Sequence, residues 1–406
     1  MDLEKIRGDF PLFQEVINGK PIVYFDNACQ SLRPISVIQA LNEYYQKYPA
    51  CAGRSMHKLG ELVTKKVDEA RRQIANFIKA KRKEEIIFTR NTTEGINLIA
   101  HSLNLKQGDI VLTTDKEHNS NLIPWQILSK KVGIIHKIVP SKEDNTFDLE
   151  AFEKMMDNQV KLVSMVFTSN LDGVTIPAKE VIEIAHSFGA KVLLDAAQTV
   201  PHQEIDVSKL DVDFLAFSGH KILGPSGTGV LYGKYNLLEE LEPFLVGGDT
   251  VEYTTYTSHK FLPPPEKFEA GLQDYAGIIG LGAAVKYLTQ IGFQNIAEYE
   301  YGLNKFITAE ITKIPRLKII GPADPALRSG IISFYIEGVD SHQIALTLDE
   351  TANIMIRSGQ HCVHSWFTSH QIRSSARVSL YFYNTFKEAE IFVENLNKFI
   401  KLYRLV

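Results

Sequence analysis

Cysteine is scarce in this sequence, which has 3 cysteines among 406 residues. The three positions, Cys29, Cys51 and Cys362, do not have the paired spacing by which zinc sites are recognised. So few cysteines also exclude the disulfide framework of small secreted domains. We therefore predict neither a metal site nor a disulfide-stabilised fold.

Long hydrophobic runs and an excess of positive charge are also missing. No uninterrupted apolar stretch is long enough to cross a bilayer, and the first residues, Met1–Arg7, lack the apolar run of a signal peptide. The formal net charge is -4 and the isoelectric point about 6.3, so no basic surface for nucleic acid is expected. These absences predict a cytoplasmic protein with neither a membrane nor a nucleic acid as its partner.

What is present is an ordinary globular composition. Hydrophobic residues make up 44% of the chain and charged residues 23%, as in soluble enzymes. A chain of 406 residues is long enough for two or three domains around a substantial core. We find no internal repeat and no low-complexity segment.

Short apolar runs alternate with amphipathic segments through the first half of the chain. This alternation favours an α/β fold, with a mainly parallel sheet covered by helices. The predicted strands are Ile86–Thr89, Ile110–Thr113, Leu162–Phe167, Lys191–Leu194 and Phe214–Phe217. The predicted helices are Glu61–Ala80, Ile96–Leu103, Leu122–Val132, Leu149–Asp157 and Ala178–Phe188.

Polar side chains follow each of these five predicted strands. Ligands in open α/β sheets bind outside the carboxyl ends of the strands, so we expect side chains at those ends to converge on one crevice. Taken in strand order, the residues at these ends are Thr92 with Thr93, His118, Asn170, Asp195 and Lys221.

A run of three prolines, Pro263–Pro265, interrupts this pattern, because proline fits neither a regular helix nor a central strand. The remainder predicts a smaller α+β domain. Its predicted strands are Leu317–Ile320, Ile331–Tyr335, Ile354–Arg357 and Arg377–Leu380, and its predicted helices are Ile278–Gln290, Ser341–Leu348 and Lys387–Leu402. We therefore divide the chain into an N-terminal segment 1–20 that packs with the small domain, a large domain 21–275, and a small C-terminal domain 276–406.

Lys221 and Asp195 point most directly to a chemistry. A lysine forms a Schiff base with an aldehyde cofactor, and a buried carboxylate keeps the ring nitrogen of such a cofactor protonated; pyridoxal phosphate needs both. A glycine-rich turn, Gly224–Gly229, follows Lys221 and allows close backbone approach. Each residue alone also fits a simpler role, as a solvated lysine or a helix-capping aspartate.

The chain resembles the fold-type I pyridoxal phosphate enzymes of aminotransferase class V and, more narrowly, the group II cysteine desulfurases of the Suf iron–sulfur assembly system. The resemblance extends from about Tyr24 to Thr385. It implies a mainly parallel seven-stranded sheet in the large domain beside the smaller α+β domain. The most specific matching motifs are Ser218–Lys221 and Arg357–Cys362, and further matches are Asn91–Asn97, Glu117-His118, Asn121–Trp125 and Phe268–Gly271.

The resemblance implies a role for each residue of the crevice. Lys221 would form the Schiff base with the cofactor and later move the α-proton of the substrate, and Asp195 would pair with the pyridine nitrogen. His118 would stack on the ring face, with Asn170 and Gln198 near the phenolic oxygen. A hydrogen-bonded loop histidine is the simpler alternative for His118.

The cofactor phosphate needs several hydrogen-bond donors, which the N-terminus of a helix supplies. Thr92 and Thr93 lie between a predicted strand and a predicted helix, where their hydroxyls can add to the backbone amides. Simple helix capping is the alternative for both residues. Ser218 and His220 would complete the phosphate site by the resemblance.

Cys362 decides the reaction class that the resemblance implies. A lone cysteine is more often an inert buried residue, but Arg357 and His361 lie close in sequence, and cationic neighbours favour a thiolate. In the family, this thiolate attacks the sulfur of a cofactor-bound cysteine, which gives alanine and an enzyme persulfide. Arg377 matches the arginine that holds the substrate carboxylate, and we assign Arg357 and Asn170 to the same substrate site. A surface ion pair is the alternative for Arg377.

Three positions differ from the family pattern. Gln360 stands where the family usually has a first histidine before His361. Gly53 replaces the histidine of a His-Arg pair, while Arg54 remains and is assigned to the substrate site. Leu272 stands where the family often has a threonine that donates to the phosphate of the neighbouring subunit's cofactor, and a leucine side chain cannot donate.

Cys29 and Cys51 lie in stretches that resemble active-site borders. We expect both to be small packing residues. A redox or sulfur-relay role is the alternative.

The leading hypothesis is a cysteine desulfurase that takes sulfur from L-cysteine and passes the persulfide on Cys362 to a sulfur-acceptor or scaffold protein of iron–sulfur assembly. The short spacing from Arg357 to Arg377 implies a compact loop that this acceptor must approach. The resemblance also implies a homodimer. The alternatives are a selenocysteine lyase, a cysteine lyase, a transaminase of the same class, and a pyridoxal phosphate-binding scaffold without turnover.

Overall fold

The computed structural model of the protein describes residues 2–402. Met1, at the start of the predicted N-terminal segment, and residues 403–406, at the end of the predicted small domain, lie outside this range. The α-helices are Leu3–Gly8, Ile35–Lys47, Lys58–Phe77, Thr92–Ser102, Asn119–Lys131, Leu149–Met155, Ala178–Ser187, Val207–Leu210, Tyr235–Glu240, Tyr275–Ile291, Phe293–Ile311, Ser341–Ala352, His364–Ser369 and Phe386–Leu402.

A sheet of seven strands forms the centre of the larger part of the molecule. Four of its six neighbouring pairs are parallel, and Gly229–Gly233 runs antiparallel to both of its neighbours. The prediction of a mainly parallel seven-stranded sheet is therefore confirmed. In spatial order the strands are Ile86–Thr89, Gly229–Gly233, Phe214–Ser218, Lys191–Asp195, Val160–Val166, Ile110–Thr114 and Ile135–Val139.

The central strands carry consecutive apolar residues because helices cover both faces of the sheet. Val192, Leu193 and Leu194 follow one another and are all fully buried. Their strand ends at Asp195, which pairs in register with Val166 on one side and Ala216 on the other. The carboxyl ends of three neighbouring strands therefore lie side by side.

A second sheet has four antiparallel strands and belongs to the C-terminal part. The predicted single strand Ile354–Arg357 is wrong, because the chain passes from one sheet to another at Ile356. Ile354–Met355 pairs in parallel with Val23–Tyr24, whereas Arg357–Gly359 joins the four-stranded sheet. In spatial order that sheet consists of Leu317–Ile320, Ile331–Ile336, Ser375–Ser379 and Arg357–Gly359.

Two long helices connect the two parts of the molecule. Asp274 caps Tyr275–Ile291 by accepting from the Gly277 amide, and the helix stops at Gly292, whose φ of 82° suits glycine. Phe293–Ile311 follows at once. Within residues 2–402 no single helix has the length and apolar composition to span a bilayer. The helices Tyr275–Ile291 and Phe293–Ile311 meet these two criteria only when they are counted as one, and the angle between them is 75°.

The N-terminal segment lies against the C-terminal helix. Arg7 forms an ion pair with Glu388 at 2.9 Å and donates to the Tyr383 carbonyl at 2.7 Å. The ring of Phe10 is fully buried and lies 4.7 Å from the ring of Tyr383. Two smaller hairpins, Val16–Ile17 with Lys20–Pro21 and Val251–Thr254 with His259–Phe261, complete the strand pairings.

Candidate active site

A cavity of about 240 Å³ opens at the carboxyl ends of the central strands. The structure brings together at this cavity every predicted site residue except Arg54. The predicted residues that line it are Thr92, Thr93, His118, Asn170, Asp195, Gln198, Ser218, His220, Lys221, Arg357, Cys362 and Arg377.

Lys221 and Asp195 line the cavity at the ends of neighbouring strands. Asp195 is 4% exposed, and its Oδ1 accepts from the Ala197 amide at 3.0 Å. Burial raises the pKa of Asp195, and the charge of Lys221 opposes that rise. Burial lowers the pKa of Lys221, and Asp195 opposes that change in turn. An amine with a lowered pKa is available as a nucleophile and as a base.

His118 caps the helix Asn119–Lys131 with its ring. The Ser120 amide donates to Nδ1 at 3.1 Å, and the Ser120 hydroxyl lies 2.9 Å from the same nitrogen. Burial, with a smaller effect from the Lys221 charge, lowers the pKa of His118 to about 3. The ring is therefore neutral at physiological pH, and because Nδ1 accepts, its proton is carried by Nε2.

The N-terminus of the helix Thr92–Ser102 borders the cavity. Asn91 caps this helix by accepting from the Glu94 amide at 3.0 Å, so neither Thr92 nor Thr93 is the cap. The Ser218 hydroxyl accepts from the Thr92 amide at 2.9 Å and lies 2.6 Å from the Thr92 hydroxyl. These hydroxyls, at the N-terminus of a helix, form a group of donors suited to a phosphate.

Gly229 permits this close approach of two segments. A Cβ atom on Gly229 would lie 2.6 Å from the Asn91 Cα, nearer than any real Cβ contact. Only glycine therefore lets the antiparallel strand pass directly beneath the turn that begins the helix.

Two buried amide oxygens at the cavity lack donors. The amide nitrogen of Asn170 donates to the His361 carbonyl at 2.7 Å, and that of Gln198 donates to the Ala28 carbonyl at 2.7 Å. Within the described part of the chain, the Oδ1 of Asn170 and the Oε1 of Gln198 are buried without a partner. Unsatisfied buried acceptors are costly, so both oxygens suit a bound ligand that carries O–H or N–H groups.

Cys362 lies on a loop whose backbone is held in an unusual conformation. His361 has φ of 50° and Cys362 has φ of 60°, two consecutive left-handed residues that are not glycine. Each costs about 1–3 kcal/mol, which the surrounding contacts must offset. The Asn119 amide donates to the Cys362 carbonyl at 2.7 Å, and Asn170 holds the His361 carbonyl. The large domain thus fixes the cysteine loop at two adjacent residues.

Two arginines stand opposite each other on antiparallel strands beside this loop. Arg357 and Arg377 are directly paired in register, and both line the cavity. Arg377 is buried and donates to the Asn170 carbonyl at 3.0 Å, while Asp26 lies 3.4 Å from Arg377 and 4.0 Å from Arg357. Among residues 2–402 the Nε of Arg377 has no partner. Two guanidinium groups against one carboxylate leave a net positive site for an anionic substrate.

The structure corrects the expectations for His361 and for the two other cysteines, and it places Arg54 apart from the cavity. His361 does not supply a positive charge beside Cys362, because burial lowers the pKa of His361 well below its usual value. Arg54 lies outside the cavity and forms an ion pair with Asp249 at a separate surface pocket. Cys51 is exposed rather than packed, and Cys29 lines the cavity instead of filling a core.

Several residues of the site were not predicted from sequence. Asp26 positions Arg377 through its carboxylate. Asn119 holds the cysteine loop through its backbone amide. The amide of Ser120 holds the ring of His118. Asp26 had a signal, since it lies within the Tyr24–Asn27 stretch that matches the family. Asn119 and Ser120 are polar residues in an ordinary helix start and carried no separate signal.

The sequence profile of the family described as Aminotransferase class-V matches residues 23–392. The chain belongs to this family. A relative named "Probable cysteine desulfurase" from Synechocystis sp. is 41% identical over 402 residues, which cover 98% of this chain and 96% of the relative. One named "Cysteine desulfurase" from Escherichia coli O127:H6 is 37% identical over 409 residues, with 98% of each chain covered.

A solved structure supports the same relationship. The apo structure of a cysteine desulfurase from Thermococcus onnurineus NA1 superposes with a TM-score of 0.93 at 38% identity, and the match covers 98% of both chains. At this similarity the class V fold and the arrangement of its two parts are shared.

The cofactor of class V enzymes is pyridoxal phosphate, and the residues at the cavity fit it. Lys221 can bond its aldehyde, and Asp195 can hold the ring nitrogen. Thr92 and Ser218 offer hydroxyls at a helix N-terminus for the phosphate. The unsatisfied amide oxygen of Gln198 offers an acceptor to a polar group of the bound cofactor.

Proposed function

We propose that the protein is a cysteine desulfurase that converts L-cysteine to L-alanine and leaves a persulfide on Cys362. One observation carries this proposal: Lys221, Asp195, Arg377 and Cys362 line one cavity. A transaminase needs the first three residues but has no use for a thiol at this position. The names of the curated relatives agree with the proposal.

When bound, pyridoxal phosphate supplies an electron sink for the Cα–H and Cβ–S bonds of the amino acid. Asp195 is the counter-charge that keeps the ring nitrogen protonated. Lys221, with its lowered pKa, accepts the α-proton of the substrate. After the sulfur has left, Lys221 returns a proton either to Cβ, which becomes the methyl group of alanine, or to Cα. His118 lines the cavity as a neutral imidazole and would stack on the ring of the bound cofactor.

The two arginines orient the substrate. Arg377 offers its unpaired Nε to the carboxylate, and Arg357, paired with it in register on the neighbouring strand, adds a second positive charge. With the carboxylate held there, the substrate sulfur shares the cavity with Cys362. The Cys362 thiolate attacks that sulfur, the bond between Cβ and sulfur breaks, and the sulfur remains on Cys362 as a persulfide.

We further propose that an acceptor protein of iron–sulfur assembly collects this sulfur by docking over the cavity. The loop bearing Cys362 is short and held at two adjacent carbonyls, so it cannot carry sulfur far. A thiol of the acceptor must therefore reach Cys362. All three cysteines are free thiols, which suits a reducing compartment such as the cytoplasm.

We also propose a homodimer. Large apolar side chains are exposed in the chain segments on either side of Asp249, the ion-pair partner of Arg54, and at Leu272; exposed apolar side chains of this kind suit a surface that a second subunit covers. In such a dimer, Arg54 would serve the active site of the partner rather than its own. The exposed side chains concerned are Phe244, Leu245, Val246, Tyr253, Tyr256 and Leu272.

The test is amino-acid analysis of the pyridoxal phosphate-loaded enzyme after incubation with L-cysteine. We expect alanine from the wild type and from Cys51→Ser, and none from Cys362→Ser. Alanine from Cys362→Ser at the wild-type rate would contradict the proposal. Accumulation of pyridoxamine phosphate, reversed by an α-keto acid, would identify a transaminase instead.

A further inference from the structure

Cys29 faces the same cavity as Cys362. It ends the turn that follows Asp26, and its amide donates to the Asp26 carbonyl at 3.1 Å. Both cysteines are near enough to Lys221 for each to oppose the lowering of the Lys221 pKa by burial. Two thiols thus border one cavity, and the desulfurase reaction uses only one of them.

The surroundings of Cys29 suit a sulfur that carries negative charge. The Nη1 of Arg357 donates to the Cys29 Sγ at 2.9 Å. A permanently charged donor forms its strongest hydrogen bonds with an anionic acceptor, and a persulfide is anionic near neutral pH. Gln198 fixes the adjacent Ala28 carbonyl at 2.7 Å, so the turn that bears Cys29 is held against the cavity wall.

We propose that Cys29 is a second sulfur-carrying residue, loaded from Cys362; this inference rests on the proposed desulfurase function. The Cys29 thiolate attacks the outer sulfur of the Cys362 persulfide. The S–S bond at Cys362 breaks, a new S–S bond forms at Cys29, and Cys362 leaves as a thiolate. The Cys362 persulfide reacts in its protonated form, and its proton stays on the transferred sulfur until that sulfur ionises beside Arg357. No oxidant or reductant is consumed.

The transfer returns Cys362 to the form that attacks substrate. A second L-cysteine can then react before any acceptor arrives. Each chain would hold two sulfur equivalents, one on Cys362 and one on Cys29 beside Arg357. Cys51 is exposed and does not border the cavity, so it offers an internal control for sulfur that moves through solution.

The experiment is a rapid-quench measurement of alanine per chain, without acceptor or reductant, followed by alkylation and peptide mapping of persulfides. We expect a burst of about two alanines per active site in the wild type and in Cys51→Ser, and of about one in Cys29→Ser. Persulfide should appear on Cys29 and Cys362 in the wild type, on Cys362 alone in Cys29→Ser, and on neither in Cys362→Ser.

The outcomes separate this inference from the proposed function. A wild-type burst of one alanine, with persulfide on Cys362 and none on Cys29, would overturn the inference and leave the desulfurase intact. Equal amounts of persulfide on Cys29 and Cys51 would also overturn the inference, because they would mean that sulfur reaches both residues through solution. Persulfide on Cys29 in Cys362→Ser would overturn the order of transfer. No alanine and no persulfide on any residue would reject the proposed function itself.

A second measurement tests whether the thiols of Cys29 and Cys362 are neighbours, and it needs neither cofactor nor turnover. Dibromobimane becomes strongly fluorescent when it joins two neighbouring thiols. Cofactor-free wild type and Cys51→Ser should both give a peptide pair joined through Cys29 and Cys362, and Cys29→Ser should not. Absence of that joined pair in folded wild-type protein would contradict a direct transfer between the two sulfurs.

Discussion

The side-chain amide of Asn170 donates to the backbone carbonyl of His361 at 2.7 Å, across 191 residues of sequence. Asn170 follows the central strand Val160–Val166, while His361 precedes the cysteine of the loop. This one bond joins the sheet that carries the cofactor residues to the loop that carries the proposed nucleophile. The position of Cys362 at the cavity that holds Lys221 therefore depends on a contact between two parts of the chain.

Removing this contact should weaken catalysis and release the cysteine loop. For Asn170→Ala we expect the rate of alanine formation to fall by about tenfold, equivalent to about 1.4 kcal/mol for one buried hydrogen bond. Iodoacetamide should also alkylate Cys362 faster, because the loop is released. Asn295→Ala removes a similar bond from a helix surface and should change neither quantity. An unchanged alkylation rate in Asn170→Ala would show that the amide does not hold the loop.

Arg377 should act through its planar fork and not only through its charge. Arg377→Lys keeps a positive charge but cannot donate in parallel to both carboxylate oxygens. We expect the KM for L-cysteine to rise by at least about tenfold, with a smaller fall in kcat, measured by steady-state alanine production. Arg373→Lys, on an exposed residue nearby, should leave both constants unchanged. A wild-type KM in Arg377→Lys would remove Arg377 from substrate binding.

Thr92 should contribute to binding the phosphate and not the ring. For Thr92→Val we expect the Kd for pyridoxal phosphate to rise by about tenfold, because a buried hydroxyl is lost beside Ser218. Binding of pyridoxal, which lacks the phosphate, should be unchanged. Equilibrium dialysis with both ligands measures the two values in parallel. An equal loss for both ligands would mean that Thr92 supports the fold of the pocket rather than the phosphate.

His118 should stay neutral across the physiological range. Because burial lowers the pKa of His118 to about 3, the folded state favours the uncharged ring. Its contribution to stability is therefore present above the unfolded value near 6.5 and is lost as the pH falls toward 3. Imidazole ¹⁵N spectra of the cofactor-free protein, assigned with His118→Gln, should show an Nε2–H tautomer from pH 8 to pH 5. A His118 signal that titrates near pH 6.5 would contradict this burial.

The polar strand ends could be predicted because they follow a local rule. The strand that ends at Asp195 is one apolar run in the sequence, and a parallel sheet gathers such ends at one edge. His118, Asn170 and Lys221 came together for the same reason. The edge strand Ile135–Val139 escaped prediction, because its apolar residues Ile135 and Ile138 are substantially exposed and it shows no continuous apolar run.

The parts that could not be predicted depend on long-range pairing. Cys29 reaches the cavity because Val23–Tyr24 pairs with Ile354–Met355, which no local pattern indicates. The same pairing brings Asp26 to Arg377. The uncharged state of His361 depends on burial, whereas its position next to a cysteine in sequence suggested a cation. Proximity in sequence was a poor guide to charge at this loop.

The central claim is that Lys221 and Cys362 act on one substrate in one cavity. Peptide mapping tests this claim most directly. The pyridoxal phosphate-loaded enzyme is incubated with L-cysteine and divided into two aliquots. One aliquot is reduced with borohydride, the other is alkylated, and both are digested. We predict a pyridoxyl group on the peptide that contains Lys221 and a trapped persulfide on the peptide that contains Cys362. A pyridoxyl group on a different lysine, or a Cys362 peptide without added sulfur while alanine is formed, would contradict the account.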